Sequence, residues 1–225
     1  MILITGASEG IGYELFKNLS IKNEVIAISN KKKLKNNEKG ICVNINLLNH
    51  KEIDQLISKY EENLDEITIL NLAVKSFDGL LANYSIEKVR ETFELNFFSN
   101  LYLVQALLPM MINQKWGRII HFSSIVGNEG AIGAGIYAAS KSALIGYNKT
   151  LSKEYGRFGI TSNIIELGYF EKGLIENLNQ EKLKNIISST SSRRLGVSDD
   201  IIHAINFIQK SGFYNGEILK LNGGN

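Results

Sequence analysis

Ile2-Leu3-Ile4-Thr5-Gly6-Ala7-Ser8-Glu9-Gly10-Ile11-Gly12 is the stretch that decides the fold. It opens with an apolar, largely β-branched run, and an amphipathic stretch through Leu15, Phe16 and Leu19 follows the glycines. Strand, glycine turn and helix, in that order, form the setting in which a glycine motif carries meaning. Glycines there let backbone come close to a diphosphate, and the helix N-terminus offers N–H groups and the positive end of a dipole. The spacing is G-x-x-x-G-x-G rather than G-x-G-x-x-G, and a turn that only packs a helix on a sheet would use the same residues.

Outward from this stretch, strands read near 2–5, 24–29, 41–44, 67–71, 117–122, 160–165 and 217–221. Helices read near 10–20, 49–60, 86–112, 135–155, 173–188 and 198–210. The alternation predicts one α/β domain over residues 1–225, a doubly wound, seven-stranded parallel sheet with helices on both faces. The crossover from Asn30 to Gly40 is too short for a full helix. With 225 residues and 44% hydrophobic content, the chain can bury one substantial core. A net charge of +2 carries no nucleic-acid or membrane signature. The single cysteine, Cys42, excludes an intrachain disulfide and reads as a buried strand residue. No uninterrupted apolar run approaches the roughly 18 residues of a membrane span. With a first strand at Ile2 there is no room for a signal peptide, and a reducing cytoplasm is the expected location.

The chemistry concentrates at Tyr137-Ala138-Ala139-Ser140-Lys141, thirteen residues after Ser124. Residues four apart share a helix face, so a phenol and an ammonium come side by side. A free tyrosine, with a pKa of about 10, is a poor proton donor at neutral pH. A cation alongside favours the phenolate and is expected to draw that value down. A serine at a strand end would then hold the substrate oxygen.

Taken together, these segments resemble the short-chain dehydrogenase/reductase family. Thr5 to Gly12 matches its T-G-x-x-x-G-x-G turn, and Asn71-Leu72-Ala73-Val74 stands where it has N-N-A-G. Asn96 occupies the place of an active-site asparagine, and Gly117 to Ser124 looks like the strand ending in the catalytic serine. Tyr137 and Lys141 match the catalytic pair, and Arg194-Leu195-Gly196, Asp199-Asp200 and Asn222-Gly223-Gly224 close the pattern in order. The resemblance implies Asn96, Ser124, Tyr137 and Lys141 as the catalytic set. Tyr137 would protonate a carbonyl oxygen that Ser124 holds, while hydride reaches the carbon from a nicotinamide. Lys141 would hold the ribose, and Asn96 would order a water linking Lys141 to solvent. It also implies cofactor contacts at Gly6, Ser8, Glu9, Gly10, Ile11 and Gly12, at Ser29, Asn30 and Lys31, and at Asn44 and Ile45. Further contacts are implied at Asn71, Ala73, Tyr137, Lys141, Gly168 and Phe170. No metal site is expected.

Cofactor choice is read at the end of the second strand, where Ile28-Ser29-Asn30 runs into Lys31-Lys32-Lys33 with no carboxylate. An acidic residue there favours NAD, and basic or small ones admit a 2′-phosphate, so NADP (NADPH) is expected. NAD stays open because Glu9 stands where a basic residue is common. The chain departs from the family at Leu72, Val74, Leu167 and Lys172, which points to an altered nicotinamide pocket. Phe77-Asp78-Gly79-Leu80-Leu81 and the stretch from Leu167 to Gly196 most resemble 3-oxoacyl-acyl-carrier-protein reductases. That implies an acyl substrate on an acidic carrier protein, met by basic groups such as Lys115, Arg118 and Arg157, with Phe158 replacing another. The alternatives are a non-catalytic dinucleotide-binding module, or family chemistry on a sugar or other biosynthetic intermediate. Apolar surplus on helices 98–112 and 135–155, with Leu219 and Leu221, predicts a homotetramer, or else a dimer.

Overall fold

The computed structural model describes residues 1–30, 34–176 and 178–224. Seven strands, β1 (Ile2–Thr5), β2 (Val25–Ser29), β3 (Gly40–Asn44), β4 (Thr68–Asn71), β5 (Gly117–Ser124), β6 (Ile160–Leu167) and β7 (Ile218–Leu221), form one sheet. Their order is β3-β2-β1-β4-β5-β6-β7, and every pairing is parallel. Strands covered on both faces read as continuous apolar runs. Every residue of β1, β2 and β4 is indeed buried.

On one face α1 (Gly10–Leu19) and α8 (Ser198–Lys210) cover Ile4, Leu70, Ile120 and Ile165. On the other, α2 (His50–Tyr60), α4 (Ser99–Gln114) and α6 (Gly135–Tyr155) cover Leu3, Ile26, Ile69 and Ile119. Leu103, Val104, Leu107 and Met111 of α4 are fully buried. Truncating one of them, as in Leu107→Ala, costs about 2–5 kcal/mol. The strand order reverses between β1 and β4, and in such sheets ligands bind beyond the strand C-termini at that point.

The structure differs from the sequence reading in three places. Residues 86–112 are not one regular helix: α3 (Ile86–Phe93) passes through a π turn (Glu94–Phe98) into α4. The joined helix from Ile86 to Gln114 is long and apolar enough to cross a membrane by composition, with a mean hydropathy of 1.4. Its apolar stripe is instead the sheet's cover. The helix expected from 173 begins only at Gln180, as α7 (Gln180–Ser189). Gly173 has φ +102°, outside helical space, and the Asn179 side chain caps α7 by accepting from Lys182 N. A short helix, α5 (Ile125–Glu129), also follows β5 directly. Cys42 is half-buried, with its thiol donating to Lys35 O at 3.3 Å.

Candidate active site

The glycine turn joins β1 to α1 at the strand C-termini. Gly6 has φ +69° and Gly10 φ +56°, conformations that favour glycine. A Cβ on Gly6 would lie 2.7 Å from Ala73 Cα, and one on Gly12 would lie 2.3 Å from Gly6 O. Both glycines are therefore required by close approach of the backbone to itself. The first turn of α1 has no acidic residue and no side-chain cap. Its N–H groups and dipole remain available to an anion, so the turn fits a diphosphate.

The residues expected to transfer protons lie where β5 ends and α6 begins. Ser124 closes β5 and accepts from Val126 N at 3.3 Å, which starts α5. Tyr137 and Lys141 lie one turn apart on the buried face of α6, 8% and 3% exposed. The Lys141 ammonium donates to Phe122 O at 2.7 Å and sits 5.8 Å from the centre of the Tyr137 ring. Burial lowers the Lys141 pKa to about 8. Burial also raises the Tyr137 phenol above its ordinary value, and the hydrogen bond with Ser124 opposes that rise. The expected downward pull by Lys141 is therefore not what the chain alone displays. Desolvation outweighs the neighbouring cation because the ammonium is directed at a carbonyl rather than at the phenol oxygen.

Several residues that hold this wedge carry no sequence signal. Gly127 of α5 faces α6, and a Cβ there would lie 2.8 Å from Lys141 Cβ. The buried Ser140 hydroxyl donates to Tyr137 O at 2.8 Å and accepts from Asn96 Nδ2 at 2.9 Å. Asn96 also clamps the loop after β4, donating to Lys75 O at 2.9 Å and accepting from Lys75 N at 2.8 Å. It thus braces the residue before Lys141. The Asn96 carbonyl accepts from Asn100 Nδ2 at 2.8 Å. Asn71 reaches His121 Nδ1 at 3.2 Å inside the sheet layer. His121 is fully buried, and its pKa falls to about 3, first from desolvation and second from Lys141.

The remaining cofactor positions divide by their surroundings. Gly6, Ser8, Glu9, Gly10, Ile11 and Gly12 form the turn and the start of α1, with Glu9 exposed. Thr5 Oγ1 accepts from both Leu72 N and Ala73 N at 3.0 Å, tying β1 to the segment after β4. This braces the strands where Leu72 itself packs into the core beside α1. Ser29 pairs in register with Asn44, Ile45 N donates to Ser29 O at 2.9 Å, and Asn30 is exposed. Ser29 is buried at the end of β2, and Asn30 beside it is exposed. Lys31 lies outside the described residues.

After β6, two further expected cofactor positions also pack against their neighbours. A Cβ on Gly168 would lie 2.7 Å from Asn222 Cα, and Phe170 is buried against Gly196. The basic rim is also corrected in part. The Arg118 guanidinium is 7% exposed and donates to Gln209 O, Gly117 O and Gly159 O, so it ties strand starts together. Lys115 and Arg157 are exposed beside the same N-terminal ends of β5 and β6, away from Ser124 at the strand's other end.

The comparisons agree with this geometry. The short chain dehydrogenase family model matches residues 1–183. The 3-oxoacyl-[acyl-carrier-protein] reductase of Rickettsia typhi is 35% identical, with 99% of this chain and 95% of the relative covered. Those of Buchnera aphidicola and Escherichia coli are 32% and 31% identical over the same shares. A solved 4-hydroxyisoleucine dehydrogenase complexed with NADH superposes with a TM-score of 0.86 at 26% identity, covering 99% of this chain and 96% of that one. A solved short chain dehydrogenase/reductase family protein gives 0.87 at 20% identity, with 99% and 95% covered. With the serine, tyrosine and lysine in one wedge beside a glycine turn, the chain belongs to the short-chain dehydrogenase/reductase family of nicotinamide-dependent oxidoreductases.

Proposed function

We propose that this chain is an NADPH-dependent ketoreductase acting on 3-oxoacyl thioesters. The observation that carries the reading is the meeting of the Ser124 hydroxyl and the Tyr137 phenol beside a buried Lys141. The relatives named as 3-oxoacyl-[acyl-carrier-protein] reductases, matched along nearly the whole chain, support the substrate class.

A bound nicotinamide supplies the hydride that reduces the carbonyl carbon. The chain does the rest. Ser124 donates a hydrogen bond to the carbonyl oxygen and stabilises the charge that develops there. Tyr137 then delivers its proton to that oxygen, which becomes the hydroxyl of the product. Lys141, largely protonated at neutral pH even with its pKa near 8, favours the phenolate left behind. Asn96 acts through Lys75 and Ser140 as a positioning residue. Glycine-turn backbone and the α1 N-terminus would hold the diphosphate, and Asn30 would meet the adenosine ribose of NADP, with Asn44 and Ile45 nearby.

An acyl carrier protein as substrate carrier, a homotetramer and a cytoplasmic location complete the proposal. Gly146 on the outer face of α6 meets no atom within 4 Å, and Phe98 at the head of α4, Phe207 on α8 and Phe213 are exposed. These faces suit pairing between copies, with a light-scattering mass of four chains expected. The decisive assay follows NADPH consumption with an acetoacetyl thioester. Turnover in the wild type that Tyr137→Phe abolishes supports the reading, and a wild type inert on thioesters but active on a keto-sugar rejects the substrate class.

A further inference from the structure

Residues 130–134 join α5, which Ser124 caps, to α6, which carries Tyr137, and they have little of their own to hold them. Gly130 has φ +74° and Gly133 φ +82°, and a Cβ on Gly130 would meet no atom within 4 Å. The start of α6 has no side-chain cap either, because Ala134 stands at the cap position. Tyr137 lies in the first turn of that helix. Whatever fixes the loop therefore fixes the place of the phenol.

The loop is held by a strap from Lys75 to Tyr84, the segment that follows β4. The Tyr84 hydroxyl lies 2.7 Å from both Gly133 O and Phe77 O, so its one proton serves a carbonyl of the loop and a carbonyl of the strap. Gly79 N donates to the same Gly133 O at 3.0 Å. Both lone pairs of that carbonyl are thus met from the strap. The strap's other end is bound behind Tyr137. Lys75 N and O are held by Asn96, whose amide donates to Ser140 Oγ, and that hydroxyl donates to Tyr137 O. One segment therefore grips the chain at Gly133 before Tyr137 and at Ser140 after it.

We propose that Tyr84 is a positioning residue for proton delivery by Tyr137, acting through Gly133 and the start of α6. The inference rests on the ketoreductase reading above and adds a residue to it. Removing the Tyr84 hydroxyl takes one of the two bonds from Gly133 O and leaves the one from Gly79 N, so the loop slackens while the fold stays. Displacing a reacting group by about 1 Å can cost about 10²-fold in rate, and a partial release costs less.

The test is steady-state NADPH consumption by the full chain, with the acetoacetyl thioester or whichever ketone the wild type reduces. Tyr84→Phe is expected to lower kcat about tenfold, with KM and the NADPH Kd within about twofold of wild type. Tyr102→Phe, which removes a phenol bonded to Asp54 on α2, is expected to match wild type. A merely structural loss lowers the active fraction equally in any background, so the double variant with Tyr137→Phe decides. It is expected to turn over no more slowly than Tyr137→Phe alone, because the phenol whose place Tyr84 sets is gone. Unchanged kcat in Tyr84→Phe, a rise in KM alone, or a further loss of about tenfold in the double variant overturns the role. A wild type that reduces no ketone rejects the ketoreductase reading itself, and the positioning role with it.

Discussion

Lys141 and Lys172 are two cations at the same end of the sheet, held by very different means. Lys141 is 3% exposed, on a regular helix, with its ammonium 2.7 Å from a strand carbonyl. The Lys172 side chain is 49% exposed, on an irregular segment, and its partner stands 4.0 Å away. The first belongs to a wedge in which α5, α6, β5 and the π turn interlock. The second belongs to a segment pinned by one carboxylate. Proton transfer needs groups fixed to within a fraction of an ångström, and the surroundings of Lys141, unlike those of Lys172, meet that need.

The largest expected effect tests the rigid region. Tyr137→Phe removes the phenolic hydroxyl and with it the transferable proton, so kcat should fall about 10²–10⁴-fold while NADPH affinity and the far-ultraviolet circular dichroism stay as in wild type. Retention of more than about a tenth of kcat would mean that another group supplies the proton. Next comes the packing beneath it. Gly127→Val forces a side chain against Lys141 Cβ, and overpacking of this kind costs about 1–3 kcal/mol. Urea unfolding should show that loss together with reduced kcat; unchanged stability and turnover would show slack in the wedge, and the contrast with the 171–176 segment would fail.

A smaller effect is expected from pH. His121 has a folded pKa of about 3 against an ordinary 6.5, so the unfolded state binds the extra proton between those values. Its contribution to stability is therefore lost as pH falls below about 6.5, by roughly 2 kcal/mol on reaching pH 5. Lys141 acts in the other window. Its pKa is lowered from 10.5 to about 8, so stability rises as pH climbs between those values. His121→Asn should flatten the acid limb of a denaturation series; an identical slope in the variant would assign acid lability elsewhere. The smallest change concerns the cofactor edge. Asn30→Asp should turn a preference for NADPH into one for NADH, by about tenfold, because a carboxylate repels the 2′-phosphate. A wild type that already prefers NADH would contradict the NADP assignment and shift weight to Glu9.

Much of the wedge was legible before the structure. Tyr137 and Lys141 are readable because the helical period is local, and Ser124 because a strand end is marked by its own apolar run. The glycine turn is readable for the same reason. The direction of the Tyr137 shift was not, since it depends on how deeply α6 is buried by residues far away in sequence. Nor was the part played by Gly127 or Ser140, whose partners lie on other elements. Arg118, which the sequence offers as part of a basic rim, is instead a buried tie between strand starts. The helix expected at 173 failed at Gly173, whose φ of +102° lies outside helical space.

Order and spacing along the chain were enough to settle the alternating α/β plan and the family, and to single out Ser124, Tyr137 and Lys141 as the candidates for proton transfer. These rest on periodicity and turn chemistry, which act over a few neighbouring residues. Tertiary structure alone decided that Phe170 packs on Gly196 and Gly168 on Asn222, that Ser29 is buried while Asn30 is exposed, and that Gly173 comes to lie beside Gly10 and Ile11. Burial, desolvation and steric exclusion are properties of groups brought together from distant parts of the chain, and no local pattern encodes which groups will meet.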